Sequence, residues 1–304
     1  MLKEICITPN VFDSEFLDKS NWKDLKSLLE NIENSGYIVG LNNNDWKKVV
    51  REKINTLDFK IKDRLNSILN TLNDRNRIVG HPKGNIKPIC EDDWIKIVSD
   101  LNNIRNFFSI IATKSFVENS ISLEELENIN ISEKFGITGS KHFIKTSDEL
   151  EKIFVPLLSY AKKVTIIDPY FDISTPRYKE TLKYIAKAYR EKRGKRDKGT
   201  ITINCSEKIF DMHKQNKWKQ VINEIFKTYG HIITINVWNR KEDGIKMHDR
   251  YIITEQSGIV SAAGTDKDDY QQSEWAIKDY FSLNDILNQY KENSSPFDLK
   301  GTIS

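Results

Sequence analysis

The chain has 304 residues, with 38% hydrophobic and 30% charged residues and a formal net charge of +3. That length suits two domains better than one, and the apolar content excludes an extended disordered chain. No apolar run is long enough for a membrane span, and the start of the chain has no secretory pattern, so a cytoplasmic protein is expected. Cys6, Cys90 and Cys205 are odd in number and widely spaced, which predicts neither a disulfide framework nor a zinc site.

Taken in chain order, Glu4–Thr8 reads as a short buried strand. Apolar residues then recur at helical spacing: Trp22, Leu25, Leu28, Leu29 and Ile32 after Ser20, and Trp46, Val49, Val50, Ile54 and Leu57 after Asp45. Leu65, Ile68, Leu69 and Leu72 make a third stripe; Trp94, Ile97, Val98 and Leu101 make a fourth. A loop with Gly80, Pro82, Gly84 and Pro88 separates these last two. Ser109–Ala112 reads as a second strand. Residues 1–145 are therefore expected to form a mainly helical α/β domain for recognition or partner contact, and 119–146 to be irregular.

From Asp148 an amphipathic helix leads into a different rhythm. Val164–Ile167 is a continuous apolar run, as a strand covered on both faces requires, and it ends at Asp168-Pro169-Tyr170-Phe171. A helix over 176–193, a strand over 200–204, a helix around Trp218–Ile225 and a strand over 232–238 follow. Arg250–Thr254 and Gly258–Ala262 close the series as a hairpin. Residues 146–304 are expected to be an α/β domain with a mixed, mostly parallel sheet.

The stretch that carries chemistry is His248-Asp249-Arg250 followed by Glu255. A histidine and a cation two apart on a strand share a face. An imidazole can attack phosphorus, a guanidinium can neutralise the phosphate oxygens, and a carboxylate can orient the imidazole. Glu255, where the strand turns, is expected to reach back towards His248. Asp168 has two readings: a turn residue after its strand, or a site residue at the carboxyl edge of the sheet. Between Lys179 and Lys198, nine basic residues face three acidic ones, with Lys192, Arg193, Lys195 and Arg196 at the centre. This is either a solvated helix end or a platform for a polyanion. His142, His213 and His231 read as surface or packing residues, and no metal-ligand spacing or cofactor motif is present.

His248-x-Arg250, four residues, Glu255 and then Gly264-Thr265 resembles the His-x-Lys signature of the phospholipase D superfamily, and the ordered strands around it resemble one repeat of that fold. Ser273-Glu274 resembles the later element that closes the site in active members. The His-Asp-Arg form is similar to the phospholipase-D-like domain found after MIT domains, a branch regarded as non-catalytic and lipid-binding. The resemblance implies His248, Arg250, Glu255 and Glu274 as catalytic residues, with Asp168, Tyr170, Thr265 and the basic segment toward substrate. It implies a metal-independent phosphodiesterase, most simply a nuclease, with no cofactor. The superfamily builds its site from two histidine motifs. His81-Pro82-Lys83 has the spacing but lies in a loop with Pro88 where the acid belongs, so a homodimer pairing two His248 residues is expected. The alternative is a non-catalytic module that binds phosphate groups of nucleic acid or acidic phospholipid. A role as a bacterial defence or toxin effector is a conjecture from this architecture. At the N-terminus, Cys6–Phe12 resembles the opening strand of PIN-type nucleases, with Thr8 where a metal-binding aspartate belongs; the strand over 110–116 also lacks its aspartate.

Overall fold

A computed structural model describes residues 2–17, 21–42, 45–80, 88–137, 139–191, 198–278, 280–293 and 295–304. The chain divides into two compact units, Leu2–Thr138 and Gly139–Ser304.

The first unit runs β1 (Lys3–Ile7), α1 (Asn21–Ser35), β2 (Gly36–Gly40), α2 (Asp45–Ile54), α3 (Phe59–Asp74), β3 (Ile78–Gly80), α4 (Glu91–Arg105), β4 (Ser109–Ala112), β5 (Ser120–Ser122), α5 (Leu123–Leu126) and α6 (Ile131–Phe135). Its five strands form a parallel sheet in the order β3-β2-β1-β4-β5. The helical stripes pack as their spacing predicts: Leu25, Leu28, Leu29 and Ile32 are buried on α1, and Trp46, Val50 and Ile54 on α2. The strands β2, β3 and β5 go beyond the two expected. At three to five residues each and with buried faces, they carry no alternation by which to be read. The 119–146 stretch is likewise more ordered than expected, holding β5, α5 and α6, with capping boxes or side-chain caps at Ser122 and Asn130.

The second unit runs β6 (Lys141–Lys145), α7 (Ser147–Leu158), β7 (Lys163–Ile167), α8 (Pro176–Glu191), β8 (Thr200–Ser206), α9 (Met212–Tyr229), β9 (Ile232–Arg240), β10 (Tyr251–Thr254), β11 (Gly258–Ser261), β12 (Asp268–Lys278), α10 (Tyr280–Asn288) and β13 (Phe297–Ile303). These make an eight-stranded sheet, β13-β9-β8-β7-β10-β11-β12-β6. The sheet is mixed, as expected, but parallel pairing is confined to β7–β8–β9; the flanking strands are antiparallel. The reason is connection length. Helices α8 and α9 carry the chain back between the parallel strands, whereas β10, β11 and β12 follow one another through short turns. β6, assigned from sequence to the first domain, pairs with β12 as an edge of this second sheet. Consecutive buried residues such as Ile166 and Ile167 show that β7 is covered on both faces.

Among the described residues no helix is long and apolar enough to cross a membrane.

Candidate functional site

Register brings the key residues together. β10 lies antiparallel to β7 with Tyr251 opposite Ile167, so Arg250 and Asp168 stand side by side just past the paired ends. The chain after β7 cannot continue as strand: the Asp168 carboxylate accepts from the Tyr170 N–H at 2.9 Å, closing a turn at Pro169. Its other oxygen accepts both the N–H and the hydroxyl of Thr265, at 3.1 and 2.7 Å. Arg250 Nε lies 3.8 Å from Asp168 Oδ1, and a guanidinium N–H donates to Ala262 O at 3.2 Å. The same guanidinium sits 5.5 Å from the centre of the Tyr170 ring, within cation–π range. Asp168 is fully buried, and that burial raises its carboxyl pKa, against the lowering effect of Tyr170, Thr265 and Arg250. Sequence-predicted Asp168, Tyr170, Arg250 and Thr265 thus form one connected cluster.

The loop that delivers Thr265 is anchored independently. Gly264 has φ +87°, and a Cβ there would come 2.7 Å from Asp266 Oδ1. Asp266 in turn accepts from the wholly buried Lys145 Nζ at 2.9 Å, and Arg177 reaches Asp266 and Asp268 at 3.3 and 2.7 Å.

Beside the cluster opens a cleft of about 350 Å³, at the carboxyl ends of β7, β8 and β9. Pro169 and Tyr170 line it from β7, Ser206 and Lys208 from β8, Asn239 and Arg240 from β9, and Lys246, Met247 and His248 from the segment entering β10. Three permanent cations and an imidazole face the cleft, and among the described residues that line it none is a carboxylate. His248 is 85% exposed, with Asp249 Oδ1 3.6 Å from its Nδ1. Lys208, Arg240 and Lys246 were not singled out in the sequence. They lie on three separate segments, and only the strand ends near them hinted at a shared place.

Of the two expected catalytic carboxylates, Glu255 lies away from His248 and Glu274 faces His142. Glu255 accepts the backbone N–H groups of Lys162 and Lys163, at 2.6 and 3.2 Å, at the far end of β10 from His248. The four residues of that strand alone span roughly 13 Å, too far for a glutamate to reach back. Glu274 Oε1 lies 3.5 Å from His142 Nε2 across the β12–β6 pair. Lys192, Arg193, Lys195 and Arg196 lie outside the described residues, as does His81-Pro82-Lys83. The described part of the basic segment is partnered: Lys179 and Lys183 reach Glu224, and Lys187 reaches Glu151. His231 is a packing residue, buried, stacked on Tyr189 and bonded to Ala186 O at 3.0 Å.

In the first unit, Thr8 and Thr113 both donate hydroxyls to Glu91 Oε1, at 2.8 and 3.1 Å. Burial raises the Glu91 pKa. Among the described residues no group of three or more His, Cys, Asp or Glu side chains is placed to hold a metal ion.

No protein-family model and no curated protein matches this chain. Among solved structures, one that it is similar to is TrmBL2, an archaeal chromatin protein whose structure shows a novel mode of DNA binding. That likeness has a TM-score of 0.29 and 12% identity, over 91% of this chain and 99% of the other. Another is glucose-6-phosphate dehydrogenase in complex with glucose-6-phosphate, at a TM-score of 0.19 and 11% identity, over 93% of this chain and 83% of the other. At such scores neither likeness carries an argument about this chain. Fold and site together define an α/β protein with a cationic cleft at the carboxyl edge of its second sheet.

Proposed function

We propose that the second unit is a phospholipase-D-like phosphodiester site that acts on nucleic acid, with His248 as nucleophile. The observation that carries this reading is the lining of the cleft: Lys208, Arg240, Lys246 and His248 with no carboxylate among the described residues there, which favours a multiply charged anion. In this reading the cations hold the phosphate while an imidazole nitrogen attacks phosphorus. A P–N bond forms, the P–O bond to the leaving alcohol breaks, and that oxygen takes a proton from an acid. Water then displaces the imidazole, giving its proton to the same group as the phosphate monoester departs. The acid is proposed to be His248 of a second copy, because Glu255 and Glu274 are engaged elsewhere. Arg250 is a positioning residue here, holding Asp168 and the Tyr170 ring.

A second reading, a phosphate-binding module without turnover, is favoured by the exposed His248, whose near acidic neighbour is Asp249. The two are separated by incubating the chain with a phosphodiester substrate in excess chelator. Turnover lost in His248→Ala, together with a phosphohistidine trapped by acid-free quenching, supports the enzyme. Oligonucleotide binding without turnover, unchanged in His248→Ala, supports the binder.

For the first unit we propose a PIN-like scaffold, in which Thr8 stands where the resemblance expects a metal-binding aspartate and the strand over 110–116 lacks its own.

A further inference from the structure

We infer that the cleft takes single-stranded rather than duplex nucleic acid, and that Tyr170 is the platform on which one base stacks. The inference rests on the proposed phosphodiester reading and adds to it what lies between the phosphates.

Tyr170 is an aromatic residue that is 52% exposed, and it lines the cleft alongside the cations. A half-exposed tyrosine offers an apolar ring face on which a base can stack. The other two aromatic residues in the cleft, Trp238 and Phe297, are 2% and 4% exposed and belong to the core. Tyr170 also sits on a hydrogen-bonded turn with a cation over its ring. Its backbone N–H is fixed to Asp168, and Arg250 lies over the ring at 5.5 Å. Arg250 itself is tied to Ala262 O. With a base against the ring, Arg250, Tyr170 and the base would make one continuous stack.

The dimensions agree. About 350 Å³ is at the lower end of the range for small-ligand sites, room enough for a single base against the ring. In a duplex the bases already stack on one another and present only their edges, so a ring at the cleft wall meets a base face only in an unpaired strand. An acyl chain would need a continuous apolar trough. Here Ser206, Lys208, Asn239, Arg240, Lys246 and His248 interrupt the wall.

The test compares the full chain's affinity for a short oligothymidylate, an abasic oligomer of the same length, the matching duplex and anionic phospholipid vesicles. Stacking predicts that oligothymidylate binds about tenfold tighter than the abasic oligomer. Tyr170→Leu should remove that difference, and Tyr170→Trp should keep it, which controls for folding. Equal affinity for oligothymidylate and abasic oligomer overturns the stacking platform while leaving the phosphate cleft standing. Tighter binding to duplex or to vesicles overturns the single-strand preference. Oligomer binding that is absent, or indifferent to Lys208→Gln with Arg240→Gln, overturns the cleft reading itself and this inference with it.

Discussion

Thr265 gives both its backbone N–H and its hydroxyl to a single oxygen of Asp168, across 97 positions of sequence. Both residues are buried, so this pair of bonds ties the loop after β11 to the end of β7. Thr265→Val keeps the shape and removes the hydroxyl. It should cost about 1–3 kcal/mol of unfolding free energy, read by denaturant titration, while Thr265→Ser should recover most of it.

Arg250 is the cation nearest the buried Asp168 carboxylate. Arg250→Met should destabilise by on the order of 3 kcal/mol near neutral pH, because it strands that charge. Burial raises the Asp168 pKa, so the folded state holds its proton to higher pH than the unfolded chain does. Stability contributed by this group therefore falls as pH rises from about 4 through the folded value, and more steeply once Arg250 is gone. The variant's deficit should shrink in acid and in the double variant with Asp168→Asn. A deficit that is constant with pH would assign the cost to lost packing instead.

Asp172 behaves in the opposite sense. It accepts from Trp218 Nε1 at 2.8 Å, from Ser174 and from Lys214 Nζ at 2.8 Å, and these bonds outweigh burial to lower its pKa. Its contribution is present above the ordinary carboxylate value, about 3.9, and is lost as pH falls through the lower folded value. Asp172→Ala should cost about 1–3 kcal/mol at pH 7 and shift Trp218 fluorescence, with a smaller cost in strong acid.

Much of the second unit was legible because its signals are local. A continuous apolar run marked β7 and β-rich stretches marked β8 and β9, whereas His248 and Arg250, read as strand residues, stand just before β10, which begins at Tyr251. The position of Asp168 after an apolar run left a turn residue and a site residue both open, and its carboxylate closes the turn at Tyr170 while also accepting from Thr265. What depended on long-range geometry was not legible. Glu255 follows the motif at a suggestive interval, yet a strand carries it away from His248 to the Lys162 and Lys163 amides. Lys208, Arg240 and Lys246 share a cleft only because β8, β9 and the β10 entry converge there. In the first unit β2, β3 and β5 are too short and too buried to show a period.

If the acid comes from a second copy, turnover should depend on assembly. Specific activity should rise with protein concentration and level off as dimers fill. Mixing in excess His248→Ala chain should depress it. Activity proportional to protein at all concentrations, from a species that sediments as a monomer, would place the acid within one chain.

A cleft that holds phosphates on its cations makes oligonucleotide affinity depend on salt. Each phosphate contact on a single strand contributes a slope of about 0.7 in log affinity against log salt. Neutralising Lys208, Arg240 and Lys246 together should flatten that slope by about 2, with the fold intact by circular dichroism. A slope unchanged in the triple variant would contradict such a cleft and move the nucleic-acid contact elsewhere on the protein.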